Sequence, residues 1–219
     1  MKEPISIAGL FEFPYKTIAI LHLETKYYPW EALEGLGEFI LETIKKLDEE
    51  KFYAPSPDVR IAKSATVHPS AAIIGPCIID ENAELRPGAF IRGNVIVGNG
   101  CVVGNSCEIK NSILFDKVQV PHFNYVGDSV LGYKAHMGAG AITSNVKMDK
   151  SNIVIGGIAT NRRKVGAILG DHVEVGCNTV LNPGTVVCRN SMIYPLSSVR
   201  GVVPENSIYK SKNNIVAKL

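Results

Sequence analysis

From Ile61 onward an apolar residue stands at every sixth position: Ile61, Val67, Ile73, Ile79, Leu85, Ile91, Val97, Val103, Ile109 and Phe115. No ordinary helix or strand has that period. Four places after most of them comes a smaller residue, giving Ala65, Ala71, Cys77, Ala83, Ala89, Val95, Cys101 and Cys107. A large-then-small inward pair repeated every six residues predicts a mainly β chain wound as a hexapeptide-repeat parallel β-helix. The phase restarts at Leu169, Val175, Leu181, Val187, Ile193 and Val199, with Thr179, Thr185, Ser191 and Ser197 at the small site.

Composition narrows the function classes. A chain of 219 residues, 46% hydrophobic and 20% charged, is long enough to bury a core as one principal domain. Its 23 basic and 21 acidic residues leave +2, which offers no electrostatic footprint for nucleic acid or a membrane surface. Residues 1–10, Lys2 and Glu3 among them, carry no apolar run of signal-peptide length, and no window approaches a membrane span, so a cytoplasmic home is expected. Cys77, Cys101 and Cys107 fall on the small inward site, and Cys177 and Cys188 closely follow apolar positions. With no CxxC pair, all five read as reduced packing groups rather than metal ligands or a disulfide.

The repeat divides the chain. Residues 1–57 lack it and read as an N-terminal α/β cap, 58–204 form the solenoid, and 205–219 a tail with a strand at Ser207 to Tyr209. Within the cap, Ile5 to Leu23 suggests short strands or a strand and turn. Pro29 then opens an amphipathic helix of about five turns, with Leu33, Leu36, Ile40, Ile44 and Leu47 on one face, expected across the open end of the solenoid. The opposite face is mainly acidic, unlike a membrane-surface helix. Pro55, Ser56 and Pro57 read as a linker. Nine hexads run to about Leu114; the period slips between Ser112 and Gln119, resumes at Tyr125, Leu131 and Met137, and breaks after Ile142. Both slips read as extruded residues. The second, 143–164, carries Lys147, Lys150, Arg162, Arg163 and Lys164 against Asp149 alone, and a loop this long and basic points to function over a merely solvated surface.

The densest cluster of chemistry is His122-Phe-Asn-Tyr125-Val-Gly127-Asp128, followed by His136-Met-Gly138-Ala139-Gly140-Ala-Ile-Thr143-Ser-Asn145. With Arg86-Pro87-Gly88 and Glu108-Ile-Lys110, this stretch resembles the acetyltransferase half of the bifunctional N-acetylglucosamine-1-phosphate uridyltransferase and glucosamine-1-phosphate acetyltransferase family, over roughly Ile61 to Val203. The resemblance implies a homotrimer of left-handed β-helices with sites at subunit junctions. It implies transfer of an acetyl group from acetyl-coenzyme A to an amino-sugar phosphate, or to a nucleotide-linked amino sugar. By position, His122 corresponds to the general base and Glu108 to the carboxylate orienting it. Arg86 and Lys110 correspond to sugar-phosphate anchors, and Tyr125, His136 and Asn145 to further sugar contacts. Gly138, Ala139 and Cys177 correspond to the acetyl-coenzyme A channel, with Arg162 and Arg163 of the basic loop also assigned to that donor. No metal is expected.

Those residue types suit the reaction. An amine must be unprotonated to attack a thioester and sheds a proton as it adds, so a base titrating near neutrality is wanted. A neighbouring carboxylate would fix the imidazole tautomer, and a glycine-rich turn can bring backbone N–H groups to the oxygen that becomes negative. Bland alternatives stand beside each assignment: a surface histidine at 122, ordinary outward charges at Arg86 and Lys110, structural or solvent-exposed roles for His22, His68 and His172. His136 occupies a position where the familiar enzymes carry asparagine, and Val-Lys-Met-Asp follows Asn145 in place of Tyr-Asp-Gly, implying an altered sugar pocket. Neither an N-terminal glycine-rich nucleotidyltransferase loop nor a Walker motif is present, so no uridyltransferase activity is expected. Two other readings compete: a catalytically silent trimer that binds sugar phosphate or regulates, and a zinc-dependent γ-class carbonic anhydrase. The latter needs two histidines four residues apart, whereas His122 and His136 are fourteen apart.

Overall fold

The computed structural model describes residues 3–218. Met1, Lys2 and Leu219, the outermost residues of the expected cap and tail, lie outside the described residues. The repeat folds as a parallel β-helix of three faces, each a sheet built from one strand per coil. Register gives the inward columns directly. On the first face Ile61, Ile79, Val97, Leu114, Leu131, Leu169, Val187 and Val203 stack. On the second face the column is Val67, Leu85, Val103, Val120, Met137, Val175, Ile193 and Tyr209. Stacked strands about 4.8 Å apart make each column a continuous apolar wall. Cys77, Cys101, Cys107 and Cys188 are buried free thiols, while Cys177 is free and exposed. Burial pushes the Cys77 thiol up to about 12 and that of Cys188 to about 11, so both act as apolar filler.

Several expected elements differ. The first slip extrudes nothing: the coils from Val97 to Leu114 and from Leu114 to Leu131 are each a residue shorter than those before, so Leu114, not Phe115, stacks on Val97. Tyr125 likewise faces outward and Val126 is the inward residue, stacked on Ile109. The segment Ile5 to Leu23 forms two single-turn helices, Ile7–Leu10 and Ile20–Leu23, and no strand. The long helix is broken into a 3₁₀ turn, Pro29–Leu33, and an α-helix, Leu36–Ile44, with Gly35 at φ 68° between them. A left-handed residue interrupts the helical path, and glycine tolerates that conformation at least cost. The supposed linker is part of a strand, Phe52–Ser56, antiparallel to Val59–Ala62, and it closes the first edge of the solenoid. At the other end Ser207–Ser211 continues the second face and turns into an antiparallel hairpin with Asn214–Ala217.

The cap does not sit across an end. It runs lengthwise along the first face, where the outward residues Ile78, Ile96, Ile113, Val130, Ile168 and Val186 are all fully buried. The helix Leu36–Ile44 packs on strands Cys77–Ile79 and Val95–Val97, burying Leu36, Ile40 and Ile44. Phe11 stacks on Phe115 with ring centroids 4.7 Å apart. At roughly 1.5–3 kcal/mol per buried aliphatic side chain, this seam is a major part of the core. Asp171, fully buried, pins the segment by accepting from the backbone N–H groups of Glu12, Phe13 and Tyr133 at 2.7, 3.0 and 2.8 Å. No helix among the described residues is long and apolar enough to cross a membrane.

Candidate functional site

With the first face sealed, chemistry has the second and third faces and the edge between them. That edge carries three of the expected residues on successive coils. The Gly140 N–H donates to the His122 carbonyl at 3.0 Å, and the Asn178 N–H to the Ala139 carbonyl at 2.8 Å. His122, Ala139 and Cys177 therefore stack as a ladder. A Cβ built on Gly138 would lie 2.7 Å from the Cys177 nitrogen, so only glycine lets the two coils meet. Asn124, buried in the same turn, donates to the Gly138 and Ala141 carbonyls at 2.8 and 2.9 Å and fixes the ladder's spacing. Phe123, beside His122, holds φ 52° and is 62% exposed, a bulky side chain kept in a strained turn at the mouth of this corner.

The third face gathers a second group. Asp128, almost fully buried, accepts from Asn145 Nδ2 and from Asn111 Nδ2 at 2.8 Å, with Lys110 Nζ at 3.5 Å. Asn145 also donates to the Tyr125 hydroxyl at 3.3 Å. Burial, reinforced by the charges of Asp128 and Glu108, raises the Tyr125 phenol above its ordinary value. Lys110, Tyr125 and Asn145 are thus brought together as expected, around a carboxylate to which sequence reasoning gave no role. The final Asp of His-x-x-Tyr-x-Gly-Asp was its only signal.

Other expectations are met less well. Glu108 stands opposite Tyr125 in register and accepts from Arg92, and no hydrogen bond joins it to His122. The strand pairing sets it on the flat of the third face, whereas His122 ends its strand at the corner. Arg86 lies on the second face paired with Glu84 at 2.9 Å. His136 lies on that face too, with Nδ1 2.8 Å from Glu174. Neither joins the Lys110 group within the chain. Arg162 and Arg163 are also separated from the Gly138, Ala139 and Cys177 corner: they line a cleft floored by Asp128 at the opposite edge of the third face, where Arg162 meets Glu34 at 3.1 Å. Among the described residues no group of three or more His, Cys, Asp or Glu side chains could hold a metal ion. His22 bonds the Ala32 carbonyl and stacks on Phe39, His68 bonds Ser70, and His172 packs edge-on to Tyr133.

A hexapeptide β-helix with an exposed histidine corner defines a class, and comparison places the chain within it: the chain belongs to the family of the GMPPB C-terminal domain, whose model matches residues 73–208. It is similar to the bifunctional protein GlmU of Methanococcus maripaludis strain C5, 32% identical over 197 residues covering 87% of this chain and 48% of that protein. A bifunctional sugar-1-phosphate nucleotidylyltransferase/acetyltransferase of Sulfurisphaera tokodaii is 31% identical over 166 residues, covering 66% of this chain and 41% of the relative. The chain spans about half the length of the curated relatives it matches. Among solved structures, the acetyltransferase domain of PglB from Neisseria gonorrhoeae in complex with acetyl coenzyme A matches with TM-score 0.35 and 15% identity, over 73% of this chain and 57% of that one. The family model and the sequence relatives show the kinship that the motifs imply.

Proposed function

We propose that the protein transfers an acetyl group from acetyl-coenzyme A to the amine of an amino sugar bearing a phosphate or nucleotide, with His122 as general base. One observation carries the reading: His122, Ala139 and Cys177 stack at one edge of the third face, and the Tyr125, Lys110 and Asn145 group lies across that same face. The names of the relatives agree with it. The donor supplies an activated acyl carbon, and the chain's own residues supply position and electrostatics. The His122 imidazole would take the amine proton as the new C–N bond forms. Backbone N–H groups of the glycine-rich turn would face the carbonyl oxygen as it gains charge. Lys110, steered by Asp128, would hold the sugar's anionic group, with Tyr125 and Asn145 beside the ring. Arg86 and His136, on the second face, would reach such a site from a neighbouring copy in a homotrimer.

Thiol release from acetyl-coenzyme A, measured against glucosamine-1-phosphate, other amino-sugar phosphates and nucleotide-linked amino sugars, tests the reading. Turnover with any member supports it. Sugar-phosphate binding with no turnover would move the assignment to a silent binding module, a reading favoured by Glu108 pairing with Arg92 instead of His122. Adding UTP with N-acetylglucosamine-1-phosphate tests the expected lack of uridylyl transfer, and light scattering tests the trimer.

A further inference from the structure

The basic loop leaves the third face after Ile142–Thr143 and returns at Ala167–Leu169, and it is a built object throughout. A two-stranded hairpin, Val154–Ile155 with Ile158–Ala159, forms its tip. Ile153, Ile155 and Val165 are buried. The Ile153 N–H donates to the Arg162 carbonyl at 2.8 Å, the Val165 N–H to the Asn145 carbonyl at 3.1 Å, and the Gly166 N–H to the Asp128 carbonyl at 2.7 Å. These bonds lock three consecutive cations, Arg162, Arg163 and Lys164, against the Asp128 and Asn145 floor. The resulting cleft, of about 760 Å³, is also lined by Thr160 and Asn161. That volume lies within the roughly 300–1,000 Å³ of small-molecule sites. Arg162 has Glu34 for a partner, whereas Arg163 and Lys164 are exposed and have no ion-pair partner among the described residues.

Resting on the transferase reading above, we infer that the acceptor is a nucleoside-diphosphate-linked amino sugar, its nucleotide end lodged between Arg162, Arg163 and Lys164. The placement follows from the order of groups across one face. His122 stands at one edge, Tyr125–Gly127 crosses the face, and Asp128 with the cleft stands at the other edge. An amine at His122 and a sugar over Tyr125 bring the anomeric substituent to Lys110 and Asp128. A monophosphate would end there and leave Arg163 and Lys164 beyond it with no anion, and Arg162 with Glu34 alone. A diphosphate continues into the cleft, where guanidinium forks match phosphate oxygens in paired hydrogen bonds. The Asn161 amide and Thr160 stand further along for the ribose or base. The earlier expectation that Arg162 and Arg163 serve the acetyl donor requires them near Cys177, and within the chain they are at the opposite edge.

The test combines binding and turnover. UDP, GDP and TDP, and separately coenzyme A, are titrated calorimetrically into the wild-type protein and into the variant R163S/K164S. Thiol release is then compared for glucosamine-1-phosphate and UDP-, GDP- and TDP-linked amino sugars. The inference expects at least one nucleoside diphosphate to bind and to weaken about tenfold or more in the variant. It also expects the ratio of kcat/KM between the linked acceptor and the monophosphate to fall by a similar factor. Turnover of glucosamine-1-phosphate with no diphosphate binding would overturn the inference and leave the transferase standing. A variant that loses coenzyme A affinity while keeping the diphosphate would overturn it too, returning the cations to the donor. Diphosphate binding with no acetyl transfer to any acceptor would instead sink the transferase reading, and the acceptor assignment with it.

Discussion

Replacing Asp80 by Asn should stabilise the protein, and the gain should grow with pH. Asp80 sits where the chain leaves the first face, its Oδ1 accepting from the Glu81 N–H at 2.7 Å. Burial raises its pKa from 3.8 to about 6; the Glu81 N–H bond opposes this, as does Lys51, and the negative charges of Asp116 and Glu81 add to it. Because the folded value is the higher one, the native state binds this proton more tightly than the unfolded chain. Stability therefore falls as pH rises through the window from about 4 to about 6, and the full cost is present above it. A shift of some two units corresponds to at most about 3 kcal/mol. The side chain is only partly buried, so solvent screening brings the figure to roughly 1–2 kcal/mol. Asparagine keeps the Oδ1 acceptor and loses only the charge. Urea denaturation should show the variant more stable by about 1–2 kcal/mol at pH 7.5, with roughly a third of that gain at pH 4.5. Equal gains at both pH values, or a loss at pH 7.5, would refute the argument.

Three further outcomes are expected. His122→Ala should keep the wild-type circular dichroism and oligomer but lose on the order of a hundredfold or more in thiol release, and wild-type-like turnover would sink the base assignment. Asp171→Ala orphans the N–H groups of Glu12, Phe13 and Tyr133, so thermal unfolding should report a loss of about 2–4 kcal/mol, with faster amide exchange confined first to the N-terminal segment. Gly138→Ala drives a methyl group to 2.7 Å from the Cys177 nitrogen and 2.8 Å from the Val175 carbonyl, backbone atoms that cannot step aside. It should cost about 1–3 kcal/mol and lower acetyl-coenzyme A turnover; an unperturbed Tm would show that the coils part more easily than the register implies.

The hexads were legible because each inward residue meets an identical position one coil away, so the period is written into the chain itself. Shorter coils were not. A coil of one residue fewer preserves every inward contact except those at its corner, so Phe115 and Tyr125 looked periodic when Leu114 and Val126 held the sites. The break at Gly35 was visible as a glycine but not as a left-handed one, since an amphipathic stripe on both sides of it outweighs a single residue in any pattern argument. That Gly138, Ala139 and Cys177 meet at one corner could be anticipated from the family resemblance, whose motifs flank the extruded loop on both sides. The pairing of Glu108 with Arg92 could not, because it depends on a diagonal neighbour one coil away.

The outward positions of the repeat carry a longer-period signal of their own. At the position between the two inward sites, one face carries Ile78, Ile96, Ile113, Val130, Ile168 and Val186 without a break, while the same position on the second face mixes Thr66, Glu84, Gln119, His136 and Glu174 with Val102, Met192 and Ile208. Aliphatic residues pointing out of a solenoid in six consecutive coils of one face demand a cover. The chain supplies that cover itself, from the cap. Sealing one face of a triangular prism leaves two faces and the edge they share, and that edge is where His122, Ala139 and Cys177 stack. The basic loop emerges from the edge between the open third face and the sealed first face, so its tip can pack on the cap while its cations overhang the open side. The N-terminal segment, unreadable as a repeat, is therefore what decides which surface of the repeat is free to act.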